Sequence, residues 1–139
     1  MKPYFFALLA VISWGIAPIF GKLGLAKADP FIGLTIRTLV TMIFLLITLS
    51  LRSDFGQFLT LNKTTISMLA LEGLFASALG HLFYFYALKY GEASRVTILM
   101  AAYPLITFML AIIVLKESLS LTKVGGALLI ISGLLLLSK

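Results

Sequence analysis

YFFALLAVISWGIAPIFGKLGL (residues 4–25), KADP (27–30) and FIGLTIRTLVTMIFLLITLSL (31–51) are the stretches that decide the fold. Each long apolar run can cross a bilayer core, which takes roughly 20 helical residues. The polar break holds a lysine, an aspartate and a proline, a helix stop followed by a helix start. The same pattern recurs. Apolar runs follow at about residues 66–88, 94–115 and 124–137, separated by Arg52 to Lys63, Lys89-Tyr90-Gly91-Glu92 and Lys116 to Lys123. Within lipid, unpaired backbone groups find no partner, so these runs are expected as helices. They are continuously apolar, whereas a membrane β-barrel needs alternation. The expected fold is all-α: an integral membrane bundle of five transmembrane helices, forming a single domain over residues 1–139.

Composition agrees. Of the 139 residues, 61% are hydrophobic and only 12% charged, with a mean hydropathy of +1.14. A soluble domain of this size is nearer half apolar and a quarter charged. The net charge of +6 does not mark a nucleic-acid binder, because the eleven Lys and Arg residues are spread singly among the apolar runs and not clustered on one face. That distribution suits membrane-flanking charge and a lipid-bilayer partner, with no nucleic acid. Met1-Lys2-Pro3 before the first run imitates a signal peptide, but the run is too long for an h-region and no small-x-small site ends it. With no cysteine, disulfides, thiol nucleophiles and Cys-based metal sites are excluded. There is no phosphate loop, no His–carboxylate metal spacing and no Gly-x-Ser-x-Gly elbow. Neither an enzyme nor a cofactor or metal site is expected.

Five spans put the two termini on opposite sides of the membrane. The N-terminal side carries Lys2, Arg52, Lys63, Lys116 and Lys123, and the other carries Lys22, Lys27, Lys89, Arg95 and Lys139. With the charges balanced, the positive-inside rule favours neither orientation. Dual insertion with pairing as an antiparallel dimer is one consequence, and a weak topology signal is the other.

Polar and large side chains at depth are the functional candidates, because they are costly in lipid. Trp14 stands near the middle of the first span, on a small-residue stripe of Ala7, Ala10, Ala17 and Gly21. Pro18 and Pro104 lie where freed carbonyls and kinks can line a cavity. Arg37 and His81 are expected at similar depth, with Tyr84 and Tyr103 adding hydroxyls and stacking faces. Trp14, Arg37, His81, Tyr84 and Tyr103 are the expected substrate-binding set. Glu72 is the sole intramembrane acid, a candidate for ion or proton coupling. Nine residues rotate a helix by about 900°, so Glu72 and His81 are expected on opposite faces. Gly73, Ala76, Ser77, Gly80 and Ala87 form a small-residue stripe suited to helix packing.

Several of these features, taken in order, resemble one family. They are Trp14-Gly15 followed by Lys22, Arg37 in the second span, and the turn Ala87-Leu88-Lys89-Tyr90-Gly91-Glu92-Ala93-Ser94. Pro104, the exit Leu115-Lys116-Glu117-Ser118-Leu119, and Gly125-Gly126 through Gly133 complete the series. Together they resemble the EamA domain of the drug/metabolite transporter superfamily, in its short single-repeat form found in bacteria and archaea. The resemblance implies a multi-pass protein of a prokaryotic inner membrane that performs secondary transport of small metabolites or drugs, often export. Typical members carry two repeats of opposite orientation, so a single repeat implies an antiparallel homodimer, or a heterodimer with a second EamA subunit. The last span, with Gly126 and Gly133 one heptad apart, resembles the dimer-forming final helix of small multidrug-resistance proteins. Those proteins carry a coupling glutamate in their first helix, where this chain has none. The rival expectation is a non-transporting membrane subunit that stabilises or regulates a partner complex.

Overall fold

The computed structural model describes residues 2–52 and 55–137, and no strand occurs among them. The helices are α1 (Lys2–Leu25), α2 (Pro30–Arg52), α3 (Phe55–Leu59), α4 (Lys63–Glu72), α5 (His81–Tyr90), α6 (Ala93–Met100), α7 (Tyr103–Val114) and α8 (Leu121–Leu137), with a wide-turned π segment, Gly73–Gly80, joining α4 to α5. Four helical stretches are long and apolar enough to cross a membrane: Pro3–Leu25, Pro30–Arg52, Lys63–Tyr90 and Ala93–Val114. Leu121–Leu136 is a shorter apolar helix. The expected all-α membrane bundle is thus the observed fold. Apolar side chains point outward along nearly every helix, as a lipid solvent allows.

The chain forms two compact units, Met1–Tyr90 and Gly91–Lys139. In the first, α1, α2 and α5 pack on one another. Their contact is built from Leu25, Leu34, Phe85 and Leu88, with Leu88 fully enclosed at 0% exposure. Gly33 allows the approach: a Cβ there would meet Leu25 Cδ2 at 2.9 Å and Phe85 Cδ2 at 3.4 Å. The start of α2 is set locally. Asp29 Oδ1 accepts the N–H of Phe31 at 2.8 Å, and Pro30 follows at the first helical position, where its missing N–H costs nothing.

Two lysines bind this end of the unit together. Lys22 Nζ donates to the carbonyls of Leu88 at 2.6 Å and Lys89 at 3.2 Å. Lys89 Nζ donates to the carbonyl of Ala28 at 2.6 Å. The carbonyls at the end of α5 have no helical donors, and a cation there also meets the negative end of the helix dipole. Lys22 and Lys89 are therefore structural cross-links as well as flanking charges. Of the other charges counted for orientation, Lys139 and the side chain of Lys2 lie outside the described residues.

The second unit contains α6, α7 and α8. The fourth span, expected as one helix over 94–115, is interrupted at Ala101–Ala102. The N–H groups of Ala101 and Ala102 turn tightly onto the carbonyls of Ile98 at 3.0 Å and Leu99 at 3.1 Å. Pro104 explains the break, since it has no N–H to offer the carbonyl of Met100. Lys116 closes the far end of α7 with φ 53°, the left-handed conformation common just past helix ends. The Glu117 N–H returns to Ala111 O at 3.2 Å, and Lys123 Nζ reaches Glu117 Oε2 at 3.0 Å and Ser118 O at 3.3 Å. The short α3 stands in the stretch read as a loop between the second and third spans.

Replacing Lys89 by Met removes a charge-assisted hydrogen bond to a part-buried carbonyl and is expected to cost about 1.5–3 kcal/mol of stability. Thermal unfolding in detergent checks this. A variant as stable as the parent would show that the lysine cross-link holds nothing.

Candidate functional site

The third span is one continuous helical stretch of 28 residues, Lys63–Tyr90. Its first part starts at Asn62, whose side chain accepts the N–H of Thr65 at 2.8 Å. Its centre departs from α geometry through the eight residues Gly73–Gly80. Wide turns pair each N–H with a carbonyl five residues back. Gly80 makes this possible: a Cβ there would stand 2.8 Å from the carbonyl oxygen of Phe75. His81 closes the segment with its side chain, placing Nδ1 2.7 Å from the carbonyl of Ala76, also five residues back. A carbonyl only accepts, so Nδ1 carries the proton, and in the neutral ring Nε2 is the acceptor.

The wide turns alter one expectation. The opposite placing of Glu72 and His81 assumed the rotation of an α-helix throughout. Each wide turn uses more residues, so rotation per residue is smaller across Gly73–Gly80. The α-helical count therefore does not relate these two side chains. Glu72 itself is exposed at the end of α4.

His81 is the hub of a small cluster. Its ring meets Tyr84 edge-on, with centroids 6.3 Å apart and planes at 89°. It lies within electrostatic reach of Arg37 on α2. Arg37, His81 and Tyr84 are all half-buried. Three members of the expected set are thus brought together within the first unit. Arg37 also heads a groove of about 420 Å³. Its other lining residues are Thr38, Thr41, Met42, Leu45, Leu46 and Leu49 from α2 and Ser77 from the π segment. Thr41 Oγ1 donates to the carbonyl of Arg37 at 2.9 Å, so its hydroxyl is left with acceptor capacity only.

The remaining members stand elsewhere. Trp14 is on α1 with 67% of its surface exposed, and it is absent from the groove lining. Four residues on, Pro18 is buried inside α1, which runs on through it. Lacking an N–H, Pro18 leaves the carbonyl of Trp14 without its helical donor. Tyr103 begins α7 in the second unit and is exposed. Gly126 and Gly133 lie on α8, and a Cβ on either would meet open space. Sequence reasoning missed the groove stripe itself. Its signal was present in the spacing of Arg37, Thr41, Leu45 and Leu49, which repeats every four residues along one helix face.

Gly80→Ala tests the wide turns through the sign of its effect. In an ordinary helix interior the change stabilises by up to about 1 kcal/mol. Here the added carbon meets a backbone oxygen, and a loss of about 1–3 kcal/mol is expected by thermal unfolding. Stabilisation would mean that the segment is not held in wide turns.

The EamA-like transporter family matches residues 1–139, the whole of the chain. An uncharacterized protein of Methanocaldococcus jannaschii is 30% identical over 131 residues, covering 94% of this chain and 92% of that protein. An uncharacterized transporter in the cobO 3′ region of a Sinorhizobium species is 30% identical over 134 residues, covering 96% and 94%. The uncharacterized transporter YvbV of Bacillus subtilis is 28% identical over 132 residues, covering 95% of this chain but only 43% of its own length. No solved structure matches the chain significantly. The helical membrane architecture and the full-length family match lead to one conclusion: this chain is a multi-pass membrane protein belonging to the EamA-like transporter family.

Proposed function

We propose that the chain is a secondary transporter of small metabolites or drugs, working as an exporter in a prokaryotic inner membrane. The observation that carries this reading is the cluster of Arg37, His81 and Tyr84 near the middle of apolar spans, beside an open groove. Ionisable groups at that depth are expensive and mark substrate or ion paths. Trp14 and Tyr103, the other members of the expected substrate-binding set, each expose an aromatic face that suits contact with a substrate or a partner repeat. In this reading Pro18 and Pro104 are the proline positions of the path, and Glu72 is assigned ion or proton coupling as the acid the sequence sets within a span.

One such repeat offers half of an alternating-access pathway. In inverted-repeat transporters the substrate sits at mid-membrane between two halves that rock against each other. We infer that residues 1–139 act as one repeat and pair with an inverted partner, either a second copy or a second EamA subunit. Two kinds of relative support this: two proteins matched over nearly their whole length, and one more than twice as long. The balanced flanking charges support insertion in both orientations. The open space over Gly126 and Gly133 suits close approach of a second α8.

Proteoliposomes loaded with a metabolite mixture are expected to release one or more components in a protein-dependent way. Trp14→Ala and Arg37→Ala are each expected to lower that rate at least tenfold. Unchanged rates in both would remove the cavity assignment. A reporter fused after Lys139 is expected to read both sides of the membrane, and a signal from one side alone would exclude dual insertion.

A further inference from the structure

The groove beside Arg37 has a chemical polarity that points to a class of ligand. Arg37 lies seven residues into α2, about 10 Å along the helix from its start. That is well inside a hydrocarbon core of about 30 Å. Among the described residues its guanidinium makes no ion pair with a carboxylate, whereas the ion pairs Arg95–Glu92 and Lys123–Glu117 both lie at helix ends or loops. A half-buried cation without a counter-charge is costly in an apolar setting and gains most from an anion brought to it.

The rest of the groove is arranged by depth. The hydroxyl residues Thr38, Thr41 and Ser77 share it with Arg37. From there the lining runs about 18 Å along α2 to Leu49, and apart from these hydroxyls it is apolar. Among the described residues, no acidic side chain lines it. The volume of about 420 Å³ falls in the range of small-molecule sites. His81, the titratable group within electrostatic reach of Arg37, carries no negative charge in either of its protonation states, and Tyr84 beside it offers a hydroxyl.

We propose that this groove binds an amphipathic organic anion. Its carboxylate or phosphate pairs with Arg37 in the fork geometry a guanidinium favours, and its apolar body lies along Leu45, Leu46 and Leu49. The inference rests on the transport reading for its purpose, but its chemistry stands on the groove alone. The anion comes from one of two sources, a free organic acid or an anionic lipid headgroup.

Binding of octanoate and of octanol to the full chain, reconstituted in phosphatidylcholine nanodiscs, tests it. Octanoate is expected to bind at least tenfold more tightly than octanol of the same chain length. Arg37→Gln is expected to abolish that preference, and Arg37→Lys to keep part of it. Leu45→Trp, which fills the apolar end, is expected to weaken both compounds equally, with helical content by circular dichroism confirming that each variant is folded. Repeating the measurement with phosphatidylglycerol discs separates the sources: loss of octanoate binding assigns the site to a lipid headgroup, and retention assigns it to a free acid. Equal affinity for octanoate and octanol, or an unchanged preference in folded Arg37→Gln, would overturn the proposal. Transport without anion preference removes this inference alone, and anion preference without transport removes the transport reading alone.

Discussion

A helix in lipid has to satisfy its own backbone, because the solvent around it offers no hydrogen bonds. That constraint makes all four long spans helical and lets their large apolar side chains face outward. It also gives each departure from α geometry a physical cause. Where Pro104 withholds an N–H, the chain turns tightly at Ala101–Ala102 before resuming as α7. Where Gly80 removes a side chain, the third span widens through Gly73–Gly80, and the His81 ring adds a bond of the same five-residue reach. The second departure contains Ser77, which lines the groove on α2. The same widened stretch that relaxes the helix therefore also shapes the space next to Arg37.

The rest of the first unit holds that arrangement still. Leu25, Leu34, Phe85 and Leu88 lock α1, α2 and α5 at one end, and Gly33 lets them close. Lys22 and Lys89 cross-link the same end through main-chain carbonyls. The firmly packed end lies at the close of α1 and α5 and the start of α2. Toward the middle of the spans, small residues and wide turns replace large packed ones. A rigid end and a looser centre are what a site needs if it is to be positioned and still able to change shape.

Much of this was legible in the chain itself. Run length and the breaks at Asp29-Pro30 and Lys116 to Lys123 specified the spans, because bilayer thickness leaves helices little freedom of length. Arg37 and His81 were expected at similar depth from the same counting, and in the structure the two lie within electrostatic reach of one another. The wide turns were not legible. Gly73, Ser77 and Gly80 read as a packing stripe, since small residues serve both purposes and only backbone geometry separates them. Lys22 and Lys89 read as flanking charges because their partners are carbonyls, which every residue has. The groove was hidden because it pairs one face of α2 with a stretch whose rotation no α-helical count describes.

The central claim is that the face of α2 next to Ser77 lines a path for solutes while the exposed face carrying Ile43 meets lipid. The chain has no native cysteine, so single cysteines report depth and environment directly. Ser77→Cys and Ile43→Cys lie at similar depth, the second about 200° around α2 from Thr41 and Leu45. Reaction with a membrane-impermeant thiol reagent in sealed vesicles is the measurement. A solute path along this face predicts rapid labelling at Ser77→Cys and little at Ile43→Cys. Equal protection of both, or labelling at Ile43→Cys alone, would contradict it.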